Sequence, residues 1–333
     1  MSEPHTFREK LAGSAADTGS IACMGIDPIL EALPSPELPT NSRVLFFFRQ
    51  IFEEMHRQQV LPGAFKPNIG FFHCLDRPLE GEFEGTRALQ GITALIREMF
   101  PGIPVIFDMK RGDIARSSAN YAAEAFTCWG ADAVTISPYM GGDSTGPFIE
   151  HAAKAGGGVY ILNRTSNPGA RELQNLILED GRPLYMHVAG RIKAWGKDYP
   201  SGTVGAVVGA TNPAELGELA AFYAGADSAG EMESRVQAGG AVAEAFHRAA
   251  DIAGTITDRA APLLIPGVGG QGGSASETIR ILREAGYPLE LVRINSSSGL
   301  THPWLKKGES APEDFAARVT GNLRKLNEEL KNA

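Results

Sequence analysis

Short apolar segments rich in β-branched residues alternate along this chain with longer stretches that are apolar on one side only. The short segments are Ile21–Asp27, Ala64–Ile69, Val105–Lys110, Ala133–Ser137, Gly158–Asn163, Thr203–Gly209, Leu263–Gly267 and Leu291–Asn295. Their length and composition predict buried strands. Between them, apolar residues recur at helical spacing. Ser42–Gln58 places Val44, Leu45, Phe48, Ile51, Phe52 and Met55 on one side, and Thr86–Phe100 does the same with Leu89, Ile92, Leu95, Ile96 and Met99. Further helical patterns fall near Ser117–Trp129, Thr145–Ala155, Tyr185–Trp195, Pro213–Tyr223, Ser276–Ala285 and Pro312–Leu330. Eight strand segments, most of them followed by a helical one, predict a parallel sheet, and eight such units close into a barrel. An open doubly wound sheet is the alternative. It uses fewer strands and a G-x-G-x-x-G turn after the first, and Gly25-Ile26-Asp27-Pro28 is not that turn. The expected fold is therefore α/β: a single (β/α)8 TIM barrel, with residues 1–333 as one domain.

The rhythm breaks between Pro213 and Pro262, where there is more chain than one crossover helix needs. Ala224–Gly240 is rich in Ala, Gly, Ser and Glu, and Ala241–Arg259 again has a helical pattern. This predicts an inserted helical segment between strands 6 and 7, at about residues 224–260. A decorated surface loop is the other reading, since loops tolerate insertion.

Composition narrows the function. The apolar fraction is 43%, enough for a sizeable core, and the net charge is −8 with no basic block. A nucleic-acid groove needs clustered Lys and Arg, so polymer binding is not expected. A small anionic ligand remains open, because local charge matters more than the total. Cys23, Cys74 and Cys128 are widely spaced without a C-x-x-C pair, which suggests free thiols in a reducing cytosol rather than disulfides or a zinc site. The polar Met1–Gly13 does not read as a signal peptide, and no apolar run approaches the ~18 residues of a membrane span. A cytoplasmic protein is expected.

In a β/α barrel the active site lies at the C-terminal ends of the strands, so charged residues there are the informative ones. Asp27 closes the first strand. Lys66 and Asn68 lie two apart on the second, and Asp108 and Lys110 two apart on the third, a spacing that puts side chains on one face. Asp113 follows in the next loop. Two lysines and two aspartates should then converge at one mouth. Buried ion pairs stabilise poorly, because desolvation roughly cancels the Coulomb gain, so concentrating them here favours chemistry over scaffolding. A phosphate site is suggested by Pro266–Gly273, where Gly269 and Gly270 let backbone N–H groups approach an anion ahead of a helix N-terminus. Arg293, expected to end the eighth strand within Arg293–Gly299, would join it, since the loops after strands seven and eight commonly bind phosphate in this fold. The run Asn163–Gly169 can either read a polar ring edge or form a simple turn. The seven histidines form no metal motif, and neither a G-x-S-x-G elbow nor a Walker loop is present.

Phe65-Lys66-Pro67-Asn68, Asp108-Met109-Lys110-Arg111-Gly112-Asp113-Ile114 and Pro266-Gly267-Val268-Gly269-Gly270-Gln271-Gly272 together resemble the orotidine 5′-phosphate decarboxylases, in their longer bacterial subgroup. The match runs in order from about Gly25 to Gly299, and the D-x-K-x-x-D element is the family's hallmark. The resemblance implies that Lys110 protonates the carbon from which carbon dioxide departs, flanked by Asp108 and by Asp113 of the partner subunit in a homodimer. It implies that Lys66 and Asp27 touch the ribose, with Asn68 beside them. Ser166 would contact the pyrimidine amide, and Ser117 would reach the neighbouring subunit's site. Gln271 and Arg293 would hold the phosphate. It implies no metal and no organic cofactor, since the lysine is both electrostatic stabiliser and acid.

Three alternatives remain. A magnesium-dependent sugar-phosphate decarboxylase shares the D-x-K-x-x-D element but places a carboxylate ligand where Lys66 stands. A Schiff-base aldolase wants a lysine of lowered pKa, whereas carboxylates around Lys110 should raise it. A non-enzymatic nucleotide-binding barrel has no use for so many charges at one mouth.

Overall fold

The structure, a computed structural model, describes residues 6–200, 202–225, 260–269 and 272–333. Eight parallel strands alternate with helices: β1 (Ala22–Ile26), β2 (Ala64–Pro67), β3 (Ile106–Arg111), β4 (Ala133–Ile136), β5 (Gly158–Arg164), β6 (Val204–Val208), β7 (Leu263–Ile265) and β8 (Val292–Ser296). Each falls within a residue or two of its expected place. The sheet runs β2-β1-β8-β7-β6-β5-β4-β3. Parallel bridges between Phe65 and Val105 and between Asn68 and Asp108 bring its two edges together, so the barrel is nearly closed.

Nine principal helices surround it among the described residues: α1 (Phe7–Thr18), α2 (Thr40–Gln58), α3 (Glu84–Met99), α4 (Ala115–Ala123), α5 (Gly142–Ala155), α6 (Leu184–Gly196), α7 (Pro213–Tyr223), α8 (Ala275–Glu284) and α9 (Phe315–Asn332). Their starts follow local chemistry. Asn212 and Ser274 cap α7 and α8 by accepting the N–H of Glu215 and Glu277. Aromatic residues of α2 fill the layer between helices and barrel, where Phe52 meets Phe65 and Phe100 edge-on or nearly so. Burying each such ring contributes roughly 1.5–3 kcal/mol.

Helix α1 was not apparent from the polar N-terminus. A capping box starts it, with Thr6 and Glu9 each satisfying the other's backbone N–H. It buries only Phe7, Leu11 and Ser14, and with them it covers the floor of the barrel, where the strands begin. Phe7 packs edge-on against Tyr160. A Cβ on Gly158 would lie 2.1 Å from the Phe7 ring, so that strand must start with glycine for the helix to dock.

The expected insertion at 224–260 falls almost wholly outside the described residues, as does its helix at Ala241–Arg259. Its attachment points are informative. The described residues stop at Gly225, just past the C-terminus of α7, and resume at Ala260, just ahead of β7, where the Ala260 carbonyl accepts a hydrogen bond from Arg8 of α1. Both points lie at the floor, opposite the strands' C-terminal ends. No described helix is long and apolar enough to cross a membrane.

Candidate active site

The charged cluster forms at the mouth around one carboxylate. Asp108 of β3 is buried, and its Oδ2 accepts a hydrogen bond from Lys66 Nζ of β2 at 2.5 Å. Its Oδ1 accepts from Lys110 Nζ and from the Thr135 hydroxyl of β4, the latter at 2.8 Å. Lys66 is buried, whereas the Lys110 side chain is half exposed and faces the opening. Asp108 and Lys110 therefore meet as their spacing suggested, although not along a regular strand. β3 is bulged here, and Lys110 adopts φ +47°, the left-handed region that residues other than glycine rarely occupy.

The electrostatics keep Asp108 and Lys66 ionised. Burial disfavours the Asp108 carboxylate, yet Lys66 and Lys110 together hold its pKa well below the ordinary range. Burial also works against the Lys66 charge, but Asp108 and Asp27 outweigh it and raise the ammonium above the usual lysine value. Asp27, just beyond β1, behaves differently. Burial pushes its pKa up, and Lys66 and a hydrogen bond from Ser297 offset only part of that. Asp27 Oδ1 and Asn295 Oδ1 are buried without a hydrogen-bond partner among the described residues. Unpaired buried acceptors at a barrel mouth are suited to meeting a ligand's hydroxyl or N–H groups. Gly25 makes this corner possible: a Cβ there would fall 1.9 Å from Ser297 Oγ.

Other expected residues are placed less centrally. The Asn68 backbone bridges to Asp108, but its side chain caps the short helix Ile69–His73 by accepting the Gly70 N–H. Asp113 Oδ1 accepts the Ile114 N–H at 2.7 Å, and Asp113 is in no ion pair among the described residues. Ser117 is half-buried in the first turn of α4. Ser166 is half-buried beyond β5, with its carbonyl bonded to Thr211. Around it the polar residues serve the turn itself. Arg164 pairs with Glu215 at 2.7 Å, and Gln174 accepts the Thr165 N–H.

One phosphate expectation is corrected. Arg293 does not reach the mouth. It is the second residue of β8, fully buried, and its guanidinium points into the floor. There it donates to the carbonyls of Gly63 (2.9 Å), Leu11 (2.6 Å), Glu290 (3.0 Å) and Val292 (2.8 Å). Lying near the strand's start and on the inward face, it cannot serve a ligand at the strand's end. The Gly269 N–H is likewise engaged, donating to Gly273 O across a bridged turn between β7 and α8. Gly270 and Gln271 lie outside the described residues. Thr135 and Asn295 went unremarked in the sequence. Each sits on a strand, and only the register brings it to the mouth.

Comparison with known proteins agrees with this geometry. Residues 65–256 match the model of the orotidine 5′-phosphate decarboxylase / HUMPS family. The chain is 36% identical to the orotidine 5′-phosphate decarboxylase of Variovorax paradoxus, over 98% of this chain and 99% of that one. This chain belongs to that family. Among solved structures, the OMP decarboxylase of Leishmania donovani superposes with a TM-score of 0.63 at 28% identity, covering 97% of this chain and 99% of that one. The Leishmania donovani UMP synthase superposes at 0.68 with 29% identity, over 99% of this chain but 57% of that longer one. The D-x-K-x-x-D pattern on which the resemblance rested is formed here by Asp108, Lys110 and Asp113.

Proposed function

We propose that this chain converts orotidine 5′-phosphate to uridine 5′-phosphate, a step of pyrimidine biosynthesis, with Lys110 as stabiliser and acid. The observation that carries this reading is the Asp108 carboxylate held between the Lys66 and Lys110 ammonium groups at the barrel mouth. As the bond from C6 of the pyrimidine to the carboxylate breaks, its electron pair stays on C6 and carbon dioxide leaves. The developing charge is localised, so an ammonium already in position is worth more than water that must reorganise. Two unit charges ~4 Å apart interact by ~4 kcal/mol at an effective dielectric near 20, which covers only part of the barrier. Lys110 then donates a proton to C6 and regains one from solvent. Asp108 keeps the ammonium aligned, while the phosphate's binding energy helps order the site.

Lys66 and Asp27 would meet the ribose, with Asn68 beside them, and Ser166 the pyrimidine amide. Without Arg293, the phosphate would rest on Gln271 and Gly270 and on the start of α8. Asp113 and Ser117 act across a homodimer in this reading. Its support is that Asp113 is in no ion pair among the described residues, and that Ile114, next to it in sequence, and Tyr139 and Met140, in the loop after β4, expose apolar side chains. A magnesium ion at Asp108 would face two ammonium groups, so the sugar-phosphate alternative fits less well. No metal or organic cofactor is needed, and the reaction would take place in the cytoplasm.

The test is turnover of orotidine 5′-phosphate by chelator-treated protein, followed by ultraviolet absorbance as orotate becomes uracil. Steady loss of the substrate signal is expected. Activity seen only with magnesium and keto-sugar phosphates would replace this reading with the alternative.

A further inference from the structure

The strand pair that carries Lys110 is irregular. Ile106 pairs with Ala133 and Phe107 with Val134, and the next pair is Arg111 with Ile136. Three residues of β3, Asp108, Met109 and Lys110, therefore stand opposite Thr135 alone. A bulge of this kind breaks the ladder and strands backbone donors, and it re-aims the side chains it carries. Here one side-chain atom collects the stranded donors. Thr135 Oγ1 accepts the N–H groups of both Met109 and Lys110, each at 3.1 Å. The hydroxyl's own proton goes to Asp108 Oδ1 at 2.8 Å, the oxygen that also receives Lys110 Nζ. Both lone pairs and the single proton of the hydroxyl are thus committed, and Thr135 is almost wholly buried.

Lys110 gives this arrangement its importance. Its left-handed backbone (φ +47°) is a strained conformation that persists only when its surroundings enforce it. Lys66 is packed on all sides, but the Lys110 side chain is half exposed, so its aim depends on where its backbone is held.

Resting on the decarboxylase reading, we propose that Thr135 is a positioning residue for the reaction. Its hydroxyl clamps the β3 bulge, holds Lys110 in the left-handed conformation and turns the Asp108 carboxylate so that one oxygen serves each lysine. Thr135 does not touch the substrate. It acts through Asp108 and Lys110.

Thr135→Val keeps the β-branched shape and removes the hydroxyl, while Thr135→Ser keeps the hydroxyl and removes a methyl group. A small misplacement of a reacting group can cost ~100-fold in rate, so Thr135→Val should lose about that in kcat, with affinity for uridine 5′-phosphate within about threefold. Thr135→Ser should retain kcat within about threefold of wild type. Amide hydrogen exchange at Met109 and Lys110 should accelerate in the valine variant and not in the serine variant. Thr135→Ala replaces the valine variant if that protein does not fold. A hydroxyl-free variant with wild-type kcat would overturn the proposal. So would a serine variant as slow as the valine one, since the effect would then be packing. The exchange measurement separates the two readings. If wild type proves inactive on orotidine 5′-phosphate, the functional reading fails, and unchanged exchange in the variants would refute the clamp on its own terms.

Discussion

The mouth and the floor of this barrel each bury a cation, and they treat it in opposite ways. At the mouth Lys66 is paired with a carboxylate that is shared with a second, half-exposed lysine. At the floor Arg293 has no carboxylate partner among the described residues. Its donors go to four backbone carbonyls, and burial lowers its pKa. The mouth keeps unpaired acceptors on Asp27 and Asn295, while the floor ties α1, the approach to β2 and the start of β8 together. A buried charge on a barrel strand is therefore not chemical by itself. What distinguishes the two is the end of the strand it occupies and whether a carboxylate shares its charge.

The largest effect expected at the mouth is on Lys110. Lys110→Ala should lower kcat by roughly a thousandfold or more, as loss of both a transition-state charge and a proton donor requires. Its melting temperature should stay close to wild type, because the side chain is half exposed. A kcat assay beside a thermal melt checks both, and an active variant would move the chemistry elsewhere. The floor should show the reverse. Arg293→Met strands several buried carbonyls and should cost about 3–5 kcal/mol of stability. Any folded fraction should keep the wild-type KM for the phosphorylated substrate. A raised KM with unchanged denaturant stability would restore Arg293 as a phosphate ligand. Gly158→Ala pushes a methyl group into the Phe7 ring and should cost about 1–3 kcal/mol in a denaturant titration, through α1 alone. Unaltered stability would mean that α1 does not seal the floor.

The smallest effect concerns pH. His302 is fully buried, stacked on Phe47, and burial lowers its pKa to about 4. The unfolded chain binds a proton at this residue near pH ~6.5 and the folded chain does not. Stability contributed by the neutral ring is thus fully present above about 6.5 and is lost as pH falls toward about 4. Melting temperatures between those values should slope downward on acidification, and His302→Asn should flatten the slope. An unchanged slope would assign it to other groups.

Much of this was legible in the residues. The eight strands could be read from β-branched runs, because strands buried on both faces need continuous apolar stretches. The Lys66, Asp108 and Lys110 cluster followed from two-residue spacing at strand ends. Lys110 still meets Asp108 although β3 is bulged between them and their partners on β4. Arg293 was misplaced because sequence gives a residue's strand but not its height in the barrel, and in β8 it lies near the floor. Helix α1 was obscured by its few buried residues, although Thr6 and Glu9 carried the capping-box spacing. Thr135 gave no signal, since a lone threonine in a strand is ordinary until the register shows it facing three residues.

The comparison of mouth and floor is tested most directly by a crystal structure with uridine 5′-phosphate bound. The account predicts C6 of the pyrimidine ~3–3.5 Å from Lys110 Nζ, as a reactive arrangement requires, and the phosphate at the start of α8 with no contact to Arg293. A nucleotide whose base lies away from Lys110, or whose phosphate reaches the Arg293 guanidinium, would contradict it.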